Sequence, residues 1–366
     1  MAGAQMPRQM PEGFQQMNAV LLLHGGLDSL TGKTGLAMLR YRSGPIVAVI
    51  DPAHAGSSLE QVTGIQRQIP IVASMAEAMP LHPDVAVVGL APSGGQLPAP
   101  VRGDVLAALQ AGINIASGLH TRLSDDPELV AACRSNCWIW DLRQEPSGLQ
   151  VGRARAAALP CHRLLAIGTD MAVGKMSACL ELLSAARQRS LPTRFVGTGQ
   201  AGILIGGGGV ALDAVRVDYA AGAVESAVLA AAEPLPPGGL VLVEGQGSLC
   251  HPASSATLPL LRGTQPTALL LVHRAGQSTI DRLPEIPLPS LPVLVRQIEA
   301  LADLARPHAA GVGPRVEAVA LNTARLDEDQ ARRAVDQVVA ELGLPCTDPV
   351  RWNAEPLLDA VLGSRD

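Results

Sequence analysis

The stretch GTDMAVGKMS, residues 168–177, connects a run of apolar residues to a helical pattern through a glycine-rich turn. In a turn of this kind the glycines let successive backbone N–H groups point inward, the helix that follows adds its positive end, and a lysine neutralises phosphate oxygens. The spacing is G-x5-G-K, one residue longer than the common G-x4-G-K-[ST]. We therefore predict a phosphate-binding loop whose ligand contacts are Gly168, Thr169, Asp170, Gly174, Lys175, Met176 and Ser177.

Met176 stands where the common motif has the Ser or Thr that holds magnesium. A thioether does not coordinate this hard ion, and Ser177 lies about 100° further round the helix. Phosphoryl transfer from ATP depends heavily on magnesium. The loop therefore favours a ligand whose diphosphate is bound but not cleaved, such as coenzyme A, and no metal is expected. The C-x3-C pair Cys133 and Cys137 lacks the further ligands of a zinc site, so zinc is not expected there either.

The chain has two lysines among 28 basic residues, and both end a G-x5-G-K pattern. They close GLDSLTGK (residues 26–33) and GTDMAVGK (residues 168–175). An ammonium fits beside a phosphate where the larger, planar guanidinium does not. The strand after the first loop ends in Asp51, about 20 residues on, as a ribose-binding acid of a dinucleotide-type domain would. For the first loop two readings stay open: a ligand site, or a structural turn whose Lys33 meets a carboxylate.

Apolar runs alternate with helical patterns along the chain, which is typical of βαβ units and parallel sheets. Its 366 residues exceed the roughly 250–300 that a single core supports. We predict an α/β protein of two domains: a disordered tail over residues 1–17, a Rossmann-like parallel sheet over 18–150, and a P-loop NTPase-like parallel sheet over 151–366. Strands are predicted at 18–24, 45–51, 69–73, 84–90, 113–118, 163–168, 193–199, 239–245, 268–273, 292–296 and 316–322.

Two segments are predicted to be irregular. Residues 138–160 are predicted to connect the domains, and the proline-rich LPEIPLPSLP, residues 283–292, to form an irregular surface loop.

Helices are predicted near 33–42, 74–79, 101–111, 125–135, 174–189, 217–232, 296–306 and 327–342.

The composition restricts the class of partner. Charged residues make up 17% of the chain and the formal net charge is −5, which argues against a nucleic-acid or anionic-membrane surface and for a small-molecule ligand. No window approaches the roughly 18 apolar residues of a membrane span. Six cysteines without a secretory leader are read as free thiols of a cytoplasmic protein. We also expect a homo-oligomer.

Polar residues follow several predicted strands, at the edge where open parallel sheets bind ligands. The segment VEGQGSLCHPASSATLPLLRG, residues 243–263, presents Glu244, Ser248, His251 and Arg262. His251 is the first choice for a general base because the ordinary pKa of histidine lies near neutrality. Arg262 is a candidate to grip a substrate carboxylate.

Further candidates lie on other loops of this half. Gln200 lies close to four consecutive glycines, residues 206–209, where a ligand or another backbone is expected to approach closely. Arg274 ends one strand, beside His273, and is a second candidate for a carboxylate. Asn322 ends another strand, where an amide can read an adenine edge.

Taken together, GTDMAVGKMS, TGQAGILIGGGGVALD, VEGQGSLCHPASSATLPLLRG and the amino-terminal GKTGLAMLRY and VAVID resemble the D-glutamate N-acetyltransferase family. The resemblance covers about residues 18–345. It implies a Rossmann-like domain followed by a P-loop domain, and acetyl transfer from acetyl-CoA to the amine of D-glutamate or a similar D-amino acid. Ser254 and Ser255 stand where the resemblance leads us to expect an aromatic residue and a serine.

In the mechanism expected on this basis, the loop around Lys175 holds a phosphate of acetyl-CoA and arginines hold substrate carboxylates. His251, oriented by Glu244, takes a proton from the substrate ammonium. The sequence motif GTDxxVGK also resembles the loop of dethiobiotin synthetase, so an ATP- and Mg²⁺-dependent ligase or kinase is the alternative function. A non-catalytic nucleotide-binding protein is the third.

Overall fold

A computed structural model describes residues 6–307 and 313–363. The chain divides into two compact units, one of residues up to 147 together with 203–207, the other of residues 148–202 together with 208 onward. Each unit contains one six-stranded sheet, and every pairing within these two sheets is parallel. The predicted α/β class with two parallel sheets is confirmed.

The first sheet has the strand order β3-β2-β1-β4-β5-β6, which is the order of a Rossmann fold. Its strands are β1 (Ala19–Leu22), β2 (Ile46–Ile50), β3 (Ile71–Val72), β4 (Val85–Val88), β5 (Asn114–Ser117) and β6 (Ile139–Asp141). The helices between them are α1 (Lys33–Tyr41), α2 (Leu59–Thr63), α3 (Met75–Ala78), α4 (Ala99–Ala111) and α5 (Pro127–Ala132).

The second sheet has the order β14-β13-β10-β7-β9-β8, with its first strand again near the centre. Its strands are β7 (His162–Gly168), β8 (Thr193–Val196), β9 (Leu240–Val243), β10 (Ala268–Arg274), β13 (Arg315–Asn322) and β14 (Cys346–Thr347). The helices are α6 (Lys175–Gln188), α7 (Gln200–Gly206), α8 (Val217–Ala232), α9 (Thr257–Thr264), α10 (Leu291–Leu304), α11 (Glu328–Leu342) and α12 (Glu355–Gly363). Strands β11 (Thr279–Ile280) and β12 (Leu283–Pro287) form a separate antiparallel ribbon.

Helices cover both faces of a parallel sheet, so every residue of a central strand is buried and the strand sequences are continuous apolar runs. All four residues of β1 and all four of β9 are buried. The core of the second unit is built from Leu, Ile, Val and Ala of β7, β9, β10 and β13 and of the helices that pack on them. Such a core places the polar ends of the strands, rather than their middles, at the surface where a ligand can bind.

Three of the predictions for irregular or short segments are wrong. Residues 139–141, assigned to the connection, form β6 because Ile115, Ala116 and Ser117 of β5 offer them a free edge. The proline-rich segment is partly regular, since Leu283–Pro287 pairs with the short β11, where an edge strand tolerates proline. The strand predicted at 292–296 is the start of α10, with a proline in its first turn, a position that suits proline in a helix.

The predicted disordered tail is also wrong for residues 13–17; residues 1–5 lie outside the described residues. Phe14 is 1% exposed and its ring meets Trp140 edge-on, with centroids 5.2 Å apart. Arg42 Nη2 donates to the Phe14 carbonyl at 2.8 Å, and its guanidinium lies over the Phe14 ring. One of the two phenylalanines of the chain therefore anchors this segment on the first unit.

Candidate functional site

The loop between β7 and α6 has the form of an anion cradle. Helix α6 begins at Lys175 without a side chain capping its first turn, so its leading N–H groups are open to a ligand. Gly174, the residue before the helix, has a φ of 113°, a conformation that residues with a side chain rarely adopt. The glycine at this position of the motif is thus required by the backbone of the turn.

The ammonium group of Lys175 lies inside this loop. Its Nζ donates to the Asp170 carbonyl at 2.9 Å, and the residue is 6% exposed. A Cβ on Gly168 would lie 2.7 Å from this Nζ, so the first glycine of the motif makes room for the lysine. Burial lowers the pKa of Lys175 to about 8, although the nearby acids Glu244 and Asp170 oppose the shift. A buried cation whose hydrogen bond goes to a neutral carbonyl is suited to an anionic ligand.

Three predicted ligand-binding residues instead hold the loop from outside. Ser248 Oγ donates to the Thr169 carbonyl at 2.8 Å, Arg274 Nη2 to the Ala172 carbonyl at 2.8 Å, and Asn322 Nδ2 to the Val173 carbonyl at 3.0 Å. The Asn322 amide oxygen also accepts from the Ala324 N–H, so both ends of this amide are engaged. Arg274 and Asn322 end β10 and β13, and Ser248 lies in the loop after β9, so the loop is held from three different strand connections.

Asp170 has the same supporting role. It is fully buried, and its carboxylate accepts from the Met171 N–H, from Gln277 Nε2 and from the Asp281 N–H, at 2.6–2.7 Å. The bonds from Gln277 and Asp281 tie the loop to the segment after β10. Met176 and Ser177 occupy the first turn of α6 and are half-buried.

Glu244 directly follows β9 and is 8% exposed. Its Oε2 accepts from the N–H groups of Thr198 and Gly199, at 2.8 and 3.2 Å, just before helix α7. Burial raises the pKa of Glu244 to about 7, while those two N–H groups and Lys175 act in the opposite direction. This pKa makes Glu244 a group that can gain or lose a proton near neutral pH.

The predicted pairing of Glu244 with His251 is not what the structure has. Within residues 6–307 and 313–363 no hydrogen bond joins the two side chains; the half-buried His251 accepts the Ala253 N–H at its Nδ1, at 3.1 Å. In a neutral imidazole this bond puts the proton on Nε2. His251 in this position presents Nε2 as a donor, and its Nδ1 lone pair is engaged by the Ala253 N–H.

Gln200, the first residue of α7, is buried next to the turn that Glu244 holds. Arg262 lies on the last turn of α9 with its side chain exposed. In the run of four glycines, a Cβ on Gly209 would collide with the carbonyl of Gly197. The expected close approach is confirmed for this residue, and the approaching group is the backbone after β8.

In the first glycine loop, residues 26–33, the two ends of the turn pack directly against each other. A Cβ on Gly32 would collide with the carbonyl of Gly26, and the side chain of Lys33 is exposed. In the described part of the chain no ion pair joins Lys33 to a carboxylate. Asp51 is buried and accepts from the Gly25 N–H at 2.9 Å and from the Ala53 N–H at 3.2 Å, which are structural contacts of the turn.

Two cavities in the second unit contact the phosphate-type loop, residues 168–177, which joins β7 to α6. Cavity A, of about 350 Å³, includes Thr169, His273, Gln277, Ser290, Gln337 and Glu341. Cavity B, of about 320 Å³, includes Met171, Asp213, Gln246, Gly247, Ser254 and Ser255. Burial, and secondarily Arg274, lowers the pKa of His273 to about 4, so this imidazole in cavity A is neutral at pH 7. Its Nδ1 is hydrogen-bonded to Thr169 Oγ1 at 3.0 Å.

Gln246 and Gln277 were not singled out from the sequence. Each has a buried Oε1 that accepts no hydrogen bond within the described residues, and each lines a cavity. The sequence contains one indication that Gln246 belongs to a site: it lies between two glycines, shortly after an acid that follows a predicted strand. No helix within residues 6–307 and 313–363 is long and apolar enough to cross a membrane.

Comparison with known proteins gives three kinds of match. A family model for the P-loop domain DUF1611_C, a domain of unknown function, matches residues 150–358, and one for the Rossmann-like domain DUF1611_N matches residues 52–145. A crystal structure of a DUF1611 family protein from Anabaena variabilis ATCC 29413 is 49% identical, with a TM-score of 0.88, and the match covers 95% of this chain and 99% of that one.

Two curated relatives carry the same name. The D-glutamate N-acetyltransferase of Tritonibacter scottomollicae is 33% identical over 349 residues, 93% of this chain and 97% of the relative. That of a Pseudoalteromonas species is 35% identical over 287 residues, 78% of this chain and 83% of the relative. These matches confirm the family resemblance drawn from the motifs.

The raised pKa of Glu244 predicts a pH-dependent stability difference between the protein and its Glu244→Gln variant. An acid whose pKa is near 7 when folded and near 4.5 when unfolded stabilises the folded state below pH 4.5, and this contribution is lost as the pH rises through 7. Relative to the variant, the free energy of unfolding of the wild type should fall by about 2 kcal/mol between pH 5 and 7.5. Denaturant unfolding of both proteins across this range measures the difference; a difference that stays constant contradicts the assignment.

Proposed function

The chain belongs to the DUF1611 family, and we propose that it is an N-acetyltransferase that moves the acetyl group of acetyl-CoA to the amine of D-glutamate or a related D-amino acid. The observation that carries the proposal is the match to two relatives named D-glutamate N-acetyltransferase, one of them along 93% of this chain. The geometry around Lys175 supports the proposal, because the acetyl donor, acetyl-CoA, carries phosphate groups and the loop suits an anion.

The cradle fits a phosphate group of coenzyme A. The open first turn of α6 offers N–H donors, and Lys175 supplies a charge that no carboxylate neutralises by direct hydrogen bonding among the described residues. Met176, where a magnesium ligand is usual, gives no oxygen for the metal-assisted cleavage of ATP. Gly168, Gly174, Lys175 and Ser177 would hold the phosphate, and the bound donor supplies the activated thioester.

Acetyl transfer makes one demand on the protein besides binding. The amine nitrogen attacks the thioester carbonyl and forms the C–N bond, the C–S bond breaks, and coenzyme A leaves as the thiol with the proton that the attacking nitrogen loses. The amino acid arrives as an ammonium ion, so a proton has to be removed before its nitrogen can attack. Backbone N–H groups of a glycine loop would stabilise the negative charge that develops on the carbonyl oxygen.

Glu244 is better prepared than His251 to take that proton. Its pKa of about 7 matches proton transfer at neutral pH, whereas the Nδ1 lone pair of His251 is engaged by the Ala253 N–H. We therefore assign proton removal to Glu244 in this proposal and a donor role to His251. The assignment made from the sequence alone, with His251 as the base, is the alternative that the variants below distinguish.

The activity itself is tested with purified protein in two parallel assays. Acetyl-CoA is supplied with a panel of D- and L-amino acids and thiol release is followed, while ATP with Mg²⁺ is supplied in the second assay and phosphate release is followed. We expect thiol release that requires a D-amino acid and persists in EDTA. Metal-dependent phosphate release would instead support the ligase or kinase alternative, and tight nucleotide binding without turnover would support a non-catalytic protein.

Lys175→Ala should raise the KM for acetyl-CoA by roughly tenfold to a hundredfold, because a charge-assisted hydrogen bond to phosphate is lost. The chain provides a matched control in Lys33→Ala, which removes the other lysine of the same local pattern from an exposed position. Initial rates at varied acetyl-CoA measure both. Equal effects of the two substitutions would contradict a specific role for the second loop.

Glu244→Gln should lower kcat by about a hundredfold or more and remove the apparent pKa near 7 from the pH–rate profile. Glutamine can still accept the Thr198 and Gly199 N–H groups, so the turn before α7 is retained. His251→Ala should keep that pKa. If His251→Ala removes it and Glu244→Gln does not, the base is His251.

A further inference from the structure

Cavity B lies where the tip of the phosphate-type loop meets the loop after β9. Met171 of the phosphate-type loop and Gln246 and Gly247 of the loop after β9 line the cavity. Ser254 and Ser255 line it as well. Both candidate proton acceptors, Glu244 and His251, flank this part of the chain. Cavity A also contacts the phosphate-type loop, at Thr169, but none of its lining residues comes from the segment 244–256.

The loop that carries Gln246 is fixed in place. A Cβ on Gly245 would collide with the Ala166 carbonyl, and Gly247 has a φ of 68°, in the left-handed region. Ser254 Oγ accepts the Ser248 N–H at 3.0 Å, which closes the loop on the opposite side. The backbone on both sides of Gln246 is therefore held in one conformation.

The Oε1 atom of Gln246 is a buried acceptor without a donor within the described residues. Leaving a buried carbonyl oxygen unpaired costs about 1–3 kcal/mol, so a site of this kind is completed by a ligand that brings an N–H or O–H group. Of the described residues that line cavity B, Asp213 is the one with a charged side chain. The unpaired Gln246 Oε1 thus favours a hydrogen-bond donor of positive or neutral charge at this point of the lining.

We propose that cavity B holds the acyl acceptor and that Gln246 Oε1 accepts a hydrogen bond from its amine. The proposal rests on the acetyltransferase function proposed above and specifies which end of the amino acid this cavity recognises. A volume of about 320 Å³ is at the small end of ligand sites, as suits an amino acid rather than a whole coenzyme. Leu212, Val215 and Pro259 form an apolar wall for its carbon chain.

Two residues of the cavity determine its fit in different ways. Gln246 contacts the amine and so governs affinity for the amino compound over its deaminated analogue. Ser255, exposed at the rim, leaves space that an aromatic side chain would fill. Within the described residues no hydrogen bond joins either side chain to residues 168–177, so we expect their substitution to leave affinity for acetyl-CoA unchanged.

The test uses the full chain with Gln246→Met, which keeps the length of the side chain and removes the acceptor. The KM for the D-amino acid should rise about tenfold with the KM for acetyl-CoA unchanged, the loss of one hydrogen bond. Glutarate, which has the carbon skeleton of D-glutamate without the amine, should inhibit the wild type and the variant equally. Gln337→Met, the same substitution in cavity A, is the control and should change neither KM.

Ser255→Trp provides a second variant at an exposed position, in case Gln246→Met does not fold. It should raise the KM for the D-amino acid through loss of space, at an unchanged melting temperature. A wild-type enzyme that transfers acetyl groups while both cavity-B variants keep the wild-type KM overturns the proposal and leaves the acetyltransferase function standing.

If the wild type releases no thiol, the acetyltransferase function fails, and titration calorimetry with the same D-amino acids decides about the cavity. Binding that Gln246→Met weakens tenfold and Gln337→Met does not would support cavity B as an amine site. An absence of binding to the wild type, or equal binding to all three proteins, would overturn it.

Discussion

The placement of one ammonium group inside a tight turn organises the second unit of this protein. Lys175 Nζ is buried and donates to a backbone carbonyl, an arrangement whose desolvation cost is large and which a bound anion would offset. Two neighbouring positions must lack a side chain for it: a Cβ on Gly168 would crowd Nζ, and one on Gly245 would crowd the lysine Cδ as well as the Ala166 carbonyl. The lysine's position is thus one reason why residues 168 and 245 are glycines.

The loop keeps its form because the rest of the sheet edge holds it. Ser248, Arg274 and Asn322, which follow or end three different strands, each donate to one of its carbonyls. Parallel strands end at a common edge, so residues far apart in sequence can support one turn. Support of this kind preorganises a binding site, and it leaves the inward N–H groups for a ligand.

Most strands of the fold could be predicted from the sequence because a parallel sheet covered on both faces needs continuous apolar runs. The errors fall where that signal is weak. Residues 292–296 form an apolar run too short to distinguish a strand from the start of a helix, and a proline in the first turn decides for the helix. The strand at 139–141 depends on the free edge of β5, and the order of residues 13–17 depends on the contact between Phe14 and Trp140. Neither partner is visible in a local pattern.

The two lysines separate what the sequence determined from what tertiary structure decided. Both end the same G-x5-G-K pattern, and that pattern by itself determined a glycine turn leading into a helix at each place. Only packing decided that Lys175 is enclosed by the ends of several strands while Lys33 is exposed beside a turn closed by Gly26 and Gly32. The same holds for Glu244, His251 and Gln246, since a pKa or an unpaired acceptor arises from burial and from neighbours distant in sequence. Local sequence specifies backbone conformation, whereas desolvation and hydrogen-bond partners, which set the chemistry, are properties of the assembled fold.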